Sequence, residues 1–220
     1  MFLAMHYRHV VWDWNGTLLN DAWLCRDVMN NLLTSRNRPP LSESKYQAIF
    51  DFPIENYYKR AGFDFNHETF EELGAEWMVE YDQRRIECDM QEHGREILES
   101  VRQRGGAQYV LSAYHHTALV QVLEQYNILD YFESVTGLDD IYANGKVAQG
   151  LKLMKENGIP VEEAVLIGDT LHDAEVAEAM GIDCFLVPSG NQSYEKLLTS
   201  GAQIVDSLAH LYAQWNPPDL

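Results

Sequence analysis

HVVWDWNGTLLN at 9–20 and AVLIGDTLHDAEV at 164–176 decide the fold. In each, a short apolar run rich in Val, Ile or Leu stops at an aspartate, Asp13 in the first and Asp169 in the second, with Asp173 four residues beyond. Such runs suit strands buried on both faces of a parallel sheet. Their aspartates then emerge at strand C-terminal ends, where open α/β sheets bind ligands. Asp13, Asp169 and Asp173 offer the hard oxygens that Mg²⁺ takes, and Gly16 and Thr17 offer a tight turn, an N–H and a hydroxyl to an anion. If the second turn is helical, Asp169 and Asp173 share one side, a repulsive arrangement unless a cation lies between them. Each alone is also an ordinary acid at a helix N-terminus.

Outward from these turns, the pattern separates into two parts. A helical pattern runs over 21–36, breaks at Arg38-Pro39-Pro40, and resumes after Ser42, a good N-cap for a helix over 43–50. Pro53 suits the start of a further helix, and Asn66 is the expected cap of a long one over 67–86, with Phe70, Leu73, Trp77, Met78 and Tyr81 on one stripe. From Gly94 onward helices and strands alternate: helix 95–104, strand 108–111, helix 117–126, strand 134–135, helix 147–156, strand 165–167, helix 173–180, strand 184–187. That alternation predicts a doubly wound parallel sheet, an α/β fold. The expected division is an α/β core from 1–19 and 91–220 with a small all-helical domain, 20–90, inserted into it.

DWNGT, a strand ending in Ser112, then Lys146, then GDTLHD, in that order, resembles the four-motif signature of the haloacid dehalogenase superfamily, in its phosphoglycolate phosphatase-like branch. The resemblance implies a helical cap between the first two motifs, Mg²⁺ as cofactor and a small phosphorylated metabolite as substrate. It implies Asp13 as the nucleophile that forms an aspartyl-phosphate, with Asp13, Asp169, Asp173 and the carbonyl of residue 15 around the metal. Lys146 then neutralises the phosphoryl group and keeps Asp13 ionised. On the residues alone, Lys146 is an ordinary surface lysine or a functional one, and its place at a helix start, mildly unfavourable for a cation, favours the second. Thr17, Ser112 and Ala113 are the phosphate-binding candidates, although a serine after a strand is commonly only a cap.

Most phosphatases of the family carry a carboxyl group two residues after the nucleophile, and here stands Asn15. An amide neither gives nor takes a proton at neutral pH, and general acid/base help is typically worth about 10²–10⁴-fold. A good leaving group, a substitute base such as His115, His116 or His172, or a site that turns over poorly each answer the change. The competing functions are therefore a phosphonate hydrolase, a phosphoryl transferase, or a non-catalytic phosphate- or Mg²⁺-binding protein. Lys45 and Lys59 raise the phosphonate-cleaving relatives, but neither matches their motif. Phe50-Asp51-Phe52-Pro53 and Tyr57-Tyr58-Lys59-Arg60 read as a substrate-facing loop or as a plain helix junction.

Composition narrows the partners. A formal net charge of -18 argues against nucleic acid, which is held by clustered Lys and Arg. No apolar stretch is long enough to cross a bilayer, and the short lead into the first strand leaves no room for a signal peptide, so a cytoplasmic protein, monomer or homodimer, is expected. Cys25, Cys88 and Cys184 follow no metal-ligand spacing and are expected to be reduced thiols.

Overall fold

The computed structural model describes residues 7–138 and 145–216; residues 1–6, 139–144 and 217–220 of the expected core lie outside the described residues. In chain order the elements are β1 (His9–Trp12), α1 (Ala22–Ser35), α2 (Glu43–Ile49), α3 (Ile54–Ala61), α4 (Phe70–Arg84), α5 (Gly94–Gln103), β2 (Ala107–His115), α6 (His116–Gln125), β3 (Ser134–Leu138), α7 (Lys146–Asn157), β4 (Ala164–Gly168), α8 (Leu171–Met180), β5 (Asp183–Leu186), α9 (Tyr194–Leu197), β6 (Gln203–Ile204) and α10 (Leu208–Trp215). The strands form one six-stranded sheet in the order β3-β2-β1-β4-β5-β6, every pairing parallel.

Alternation along the strands explains why their runs are apolar throughout. Val10, Trp12, Val110, Val165 and Ile167 belong to one buried cluster, and Val11, Tyr109, Leu111 and Leu166 to the other. Successive side chains point to opposite faces, so both faces are covered. Leu153, Met154, Val176 and Met180 of α7 and α8 cover one; Ile97, Leu98, Leu119, Val122, Leu208 and Leu211 of α5, α6 and α10 cover the other. The cluster that holds Val10 and Trp12 also runs into the helical stretch through Leu24, Val28, Tyr46, Tyr57 and Leu73. The strand order reverses between β1 and β4, and the crevice that this leaves at their C-terminal ends is the site-forming position of the architecture.

Four elements depart from the sequence expectation. The long helix starts at Phe70 and is capped by Thr69, not Asn66, because Thr69 and Glu72 form a reciprocal capping box. Asn66 has a threonine three residues on and its N–H donates to Asp64 instead. Strand β2 does not end at Ser112 but runs to His115, with a shift of register against β3 between Leu111 and His115. Helix α8 starts at Leu171, ahead of the expected residue 173, because Thr170 caps it and Asp173 is the acid of a second capping box. Pro53 precedes α3 as its N-cap rather than opening its first turn. Beyond β5 come α9, β6 and α10, which the sequence pattern does not announce; β6 is only two residues long.

Candidate active site

Asp13 directly follows β1, Asp169 directly follows β4, and Lys146 is the first residue of α7. These chain ends meet above β1 and β4, at the switch point. Asp13, Lys146, Asp169 and Asp173 are 6%, 3%, 1% and 1% exposed, so four ionisable groups share a nearly dry site. Lys146 is thus no solvated surface lysine. Its Nζ donates to Asp13 Oδ1 and to Asp173 Oδ1, each at 2.6 Å. Buried charges survive only when paired, and this ammonium is paired twice.

Electrostatics differentiate the three acids. Burial pushes the Asp13 carboxyl up to about 7, against the pull of the Lys146 ammonium. Asp169 is raised well above the usual carboxylate range by burial and by the neighbouring charges of Asp13 and Asp173. For Asp173 burial also works upward, but the Lys146 ammonium and hydrogen bonds from Lys146 and Thr170 outweigh it and hold the group below its ordinary value. Burial lowers Lys146 in turn, and the carboxylates of Asp13 and Asp173 more than offset that, keeping it charged.

Carboxylate oxygens of Asp13, Asp169 and Asp173 lie within 4.8 Å of one another. The donors are all hard oxygens, which suits Mg²⁺ and not zinc. The backbone is shaped around Asp169: Gly16 adopts φ +78°, and a Cβ there would stand 2.3 Å from Asp169 Oδ2. A Cβ on Gly190 would stand 2.0 Å from the same atom. Only glycine fits either place. Thr17 Oγ1 lies 3.4 Å from Asp13 Oδ2 and from Asp169 Oδ1. Ser112 is buried at the margin of the site, its hydroxyl accepting from the Tyr114 N–H at 3.1 Å, and Ala113 borders the same space.

Asn15 faces a different set of partners. Its Nδ2 donates to Asp21 Oδ2 and to the Tyr81 hydroxyl, both at 2.7 Å. Asp21 precedes α1 yet caps none of its N–H groups. Its carboxylate instead accepts from the Gly16 N–H at 2.7 Å and from the Tyr81 hydroxyl at 2.6 Å. Of the three histidines, His115 borders the site, whereas His172 stacks on Phe52 at 4.7 Å with Nδ1 3.0 Å from Glu175. His116 is exposed at the start of α6.

Sequence reasoning missed Asp21, Tyr81 and Asn191. Asn191 grips Asp169 Oδ2 with its backbone N–H at 2.6 Å and its Nδ2 at 3.1 Å, and its Oδ1 accepts from the Tyr46 hydroxyl. The available signal was Ser189-Gly190-Asn191, a turn directly beyond an apolar strand, the same grammar as the two acidic turns but without an acid.

Above the acids lies a cavity of about 190 Å³, walled on the far side by Tyr46, Phe50, Phe52, Tyr57, Trp77 and Tyr81 from α2, α3, α4 and the turn between α2 and α3. The segment Phe50-Asp51-Phe52-Pro53 therefore faces the site with its rings. Its charges look elsewhere: Asp51 pairs with Arg60 at 2.7 Å, and Lys59 pairs with Glu55 at 2.6 Å.

A doubly wound sheet with a lysine-bridged acid cluster at its switch point defines a class of α/β enzymes. Residues 10–187 match the family model of the haloacid dehalogenase-like hydrolases. The chain belongs to that family, and the match spans all four acidic and basic site residues. A phosphoglycolate phosphatase of Pseudomonas fluorescens (strain Pf0-1) is 23% identical over 193 residues, 80% of this chain and 68% of that protein. A predicted phosphatase from Clostridium acetobutylicum superposes with a TM-score of 0.80 at 22% identity, over 94% of this chain and 97% of that one. A predicted phosphoglycolate phosphatase from Haemophilus somnus 129pt gives 0.77 at 18%, with the same coverage. At these identities the two structures establish the fold. Among the described residues no helix is long and apolar enough to cross a membrane.

Proposed function

We propose that the chain is a Mg²⁺-dependent phosphatase that hydrolyses a small phosphate monoester in the cytoplasm through a phosphorylated Asp13. The observation that carries this reading is the Lys146 ammonium bridging Asp13 and Asp173 at 2.6 Å beside Asp169. Attack on a phosphate monoester brings an anion to an anion, so its catalysis rests on positioning and positive charge. Asp13, with one oxygen held by Lys146, attacks phosphorus; the ester P–O bond breaks and the leaving oxygen departs with its electron pair and takes a proton from solvent. Water then attacks phosphorus, breaking its bond to Asp13 to release phosphate and restore the carboxylate. Thr17, Ser112 and the Ala113 amide hold phosphoryl oxygens. Asp13, Asp169, Asp173 and the Asn15 carbonyl would hold Mg²⁺, which supplies the positive charge that the acid cluster lacks. Asn191, Gly16 and Gly190 fix Asp169 for that role. We take 20–90 as a cap over a core from 1–19 and 91–220, with its aromatic face as the wall of the substrate cavity.

Purified protein should turn over a phosphate monoester with Mg²⁺ and lose that activity with chelator or with Asp13→Asn. Undiminished turnover after either change would remove the reading. The binding-protein alternative is favoured by one observation, that both N–H bonds of the Asn15 amide are already committed to Asp21 and Tyr81. Absence of turnover with retained Mg²⁺-dependent phosphate binding would select it.

A further inference from the structure

We infer that the monoester this site takes has an aromatic, uncharged leaving group attached through a phenolic oxygen, an aryl phosphate such as phenyl phosphate, and that the site rejects phosphates carrying a second anion such as a carboxylate. The inference rests on the phosphatase reading and names its substrate class. Three observations converge on it.

The first is the wall. Phe50, Phe52, Tyr57, Trp77 and Met78 present carbon to the cavity, and the rings brace one another, Phe50 against Tyr57 at 5.2 Å and against Phe52 at 5.8 Å, and Trp77 stacked on Tyr81 at 4.8 Å. Rings already held in place accept another ring with little loss of freedom. An apolar cavity of about 150 Å³ takes a benzene-sized guest, and this one holds about 190 Å³.

The second is the lack of a cation to meet a second anion. All 16 lysines and arginines lie among the described residues, and of these Lys146 alone borders the cavity. It already serves two carboxylates and, in turnover, the phosphoryl group. The nearest others are engaged outside: Arg60 with Asp51, Lys59 with Glu55, Lys196 with Asp51 and the Phe50 carbonyl, Arg85 with Asp82 and the Tyr114 hydroxyl. His115 at the margin is exposed. A substrate carboxylate would be stripped of water against aromatic carbon with no cation to neutralise it, a costly burial even if the Tyr57 hydroxyl donated to it. The net charge of -18 adds repulsion on approach.

The third is Asn15. With both amide N–H bonds committed and no carboxyl at this position, a departing oxygen receives no proton there, and a phenolic oxygen needs one least.

Isothermal titration of the Mg²⁺-loaded full chain with benzylphosphonate and with phosphonoacetate, neither of which can be hydrolysed, tests the inference without requiring turnover. Benzylphosphonate should bind tighter by about tenfold or more, and Met78→Arg should narrow or reverse the ratio by giving the carboxylate a partner. Equal or tighter binding of phosphonoacetate by the wild type overturns the inference, whether or not the variant folds. Acetyl phosphate, too small to need the aromatic wall, separates the two levels. If it is hydrolysed while phosphonoacetate wins, the substrate class is wrong and the phosphatase stands; if it is not hydrolysed while benzylphosphonate still wins, the cavity is as described and the phosphatase reading has failed.

Discussion

Asn15 Nδ2 lies 2.7 Å from Asp21 Oδ2, so the residue two positions after Asp13 is bound to a second, fully buried carboxylate. That relationship gives the amide a structural reason. Asp21 is itself pushed up by burial, with hydrogen bonds from Tyr81, Asn15 and the Gly16 N–H pulling it back.

Asn15→Asp would place two carboxylates in contact, and one of them must keep a proton. The shared proton lies above the unfolded aspartate value, so its stabilising effect is full at low pH and lost as pH rises through the folded value. The expected outcome is a variant near wild-type Tm at about pH 5 and increasingly below it towards about pH 8. A pH-independent Tm difference would contradict the pairing. Turnover should respond oppositely by substrate: below the shared pKa, the new acid should help an alkyl phosphate more than an aryl one, narrowing the leaving-group gap.

Mg²⁺ binding should weaken as pH falls. Asp13 is raised to about 7 and Asp169 further than an exposed acid, so protons compete for the metal's oxygens. Because both folded values exceed the unfolded ones, metal-free stability is greatest at low pH and declines as pH rises through these values. Calorimetry should therefore show tighter Mg²⁺ binding, proton release and a larger Mg²⁺-induced Tm gain at about pH 8 than at about pH 6. Equal affinity at both would remove Asp13 from the metal set.

Lys146→Met leaves the Asp13 and Asp173 carboxylates buried without their cation. Breaking a buried pair in this way costs about 3–5 kcal/mol, and denaturant unfolding in the absence of metal should show a loss of that order at neutral pH. The loss should shrink at low pH, where the carboxylates are protonated. Turnover should fall by about 10²-fold or more. Retained stability at neutral pH would mean that the double bridge is not the resting arrangement.

The parallel sheet and the positions of Asp13 and Asp169 were legible because each of these acids ends an apolar run, and a buried strand leaves its chemistry at one end. The strand order was not, and Lys146, which follows Asn144-Gly145, was marked by the family resemblance. Asp21 was not legible: an acid before a helix reads as a cap, and only the structure shows its carboxylate turned back to Gly16 and Tyr81. Tyr81 was assigned to a stripe, which it does join, yet its hydroxyl at the stripe's edge reaches the site. Asn191 arrives from a loop 22 residues after Asp169, a contact with no local periodicity. Ser112 was taken as a strand end because the register shift that carries β2 on to His115 has no sequence mark.

Asn191→Ala keeps its backbone N–H on Asp169 but loses the Nδ2 contact and the acceptor for Tyr46. Groups that orient a metal ligand are worth about 10–100-fold in affinity, so Mg²⁺ titration should show weakening near the lower end of that range. Tyr46→Phe should weaken it less. No change in either variant would make the Asn191 grip purely structural.

Phosphorylation of Asp13 is the claim on which the functional account turns. Mixing the Mg²⁺-loaded protein with a phenyl phosphate, quenching in acid within the first turnover and mapping by peptide mass spectrometry measures it directly. The account predicts a hydroxylamine-labile phosphoryl group on Asp13 that is absent in Asp13→Asn. A phosphoryl group on another residue, or turnover with none on Asp13 and with inversion rather than retention of configuration at phosphorus, would contradict it.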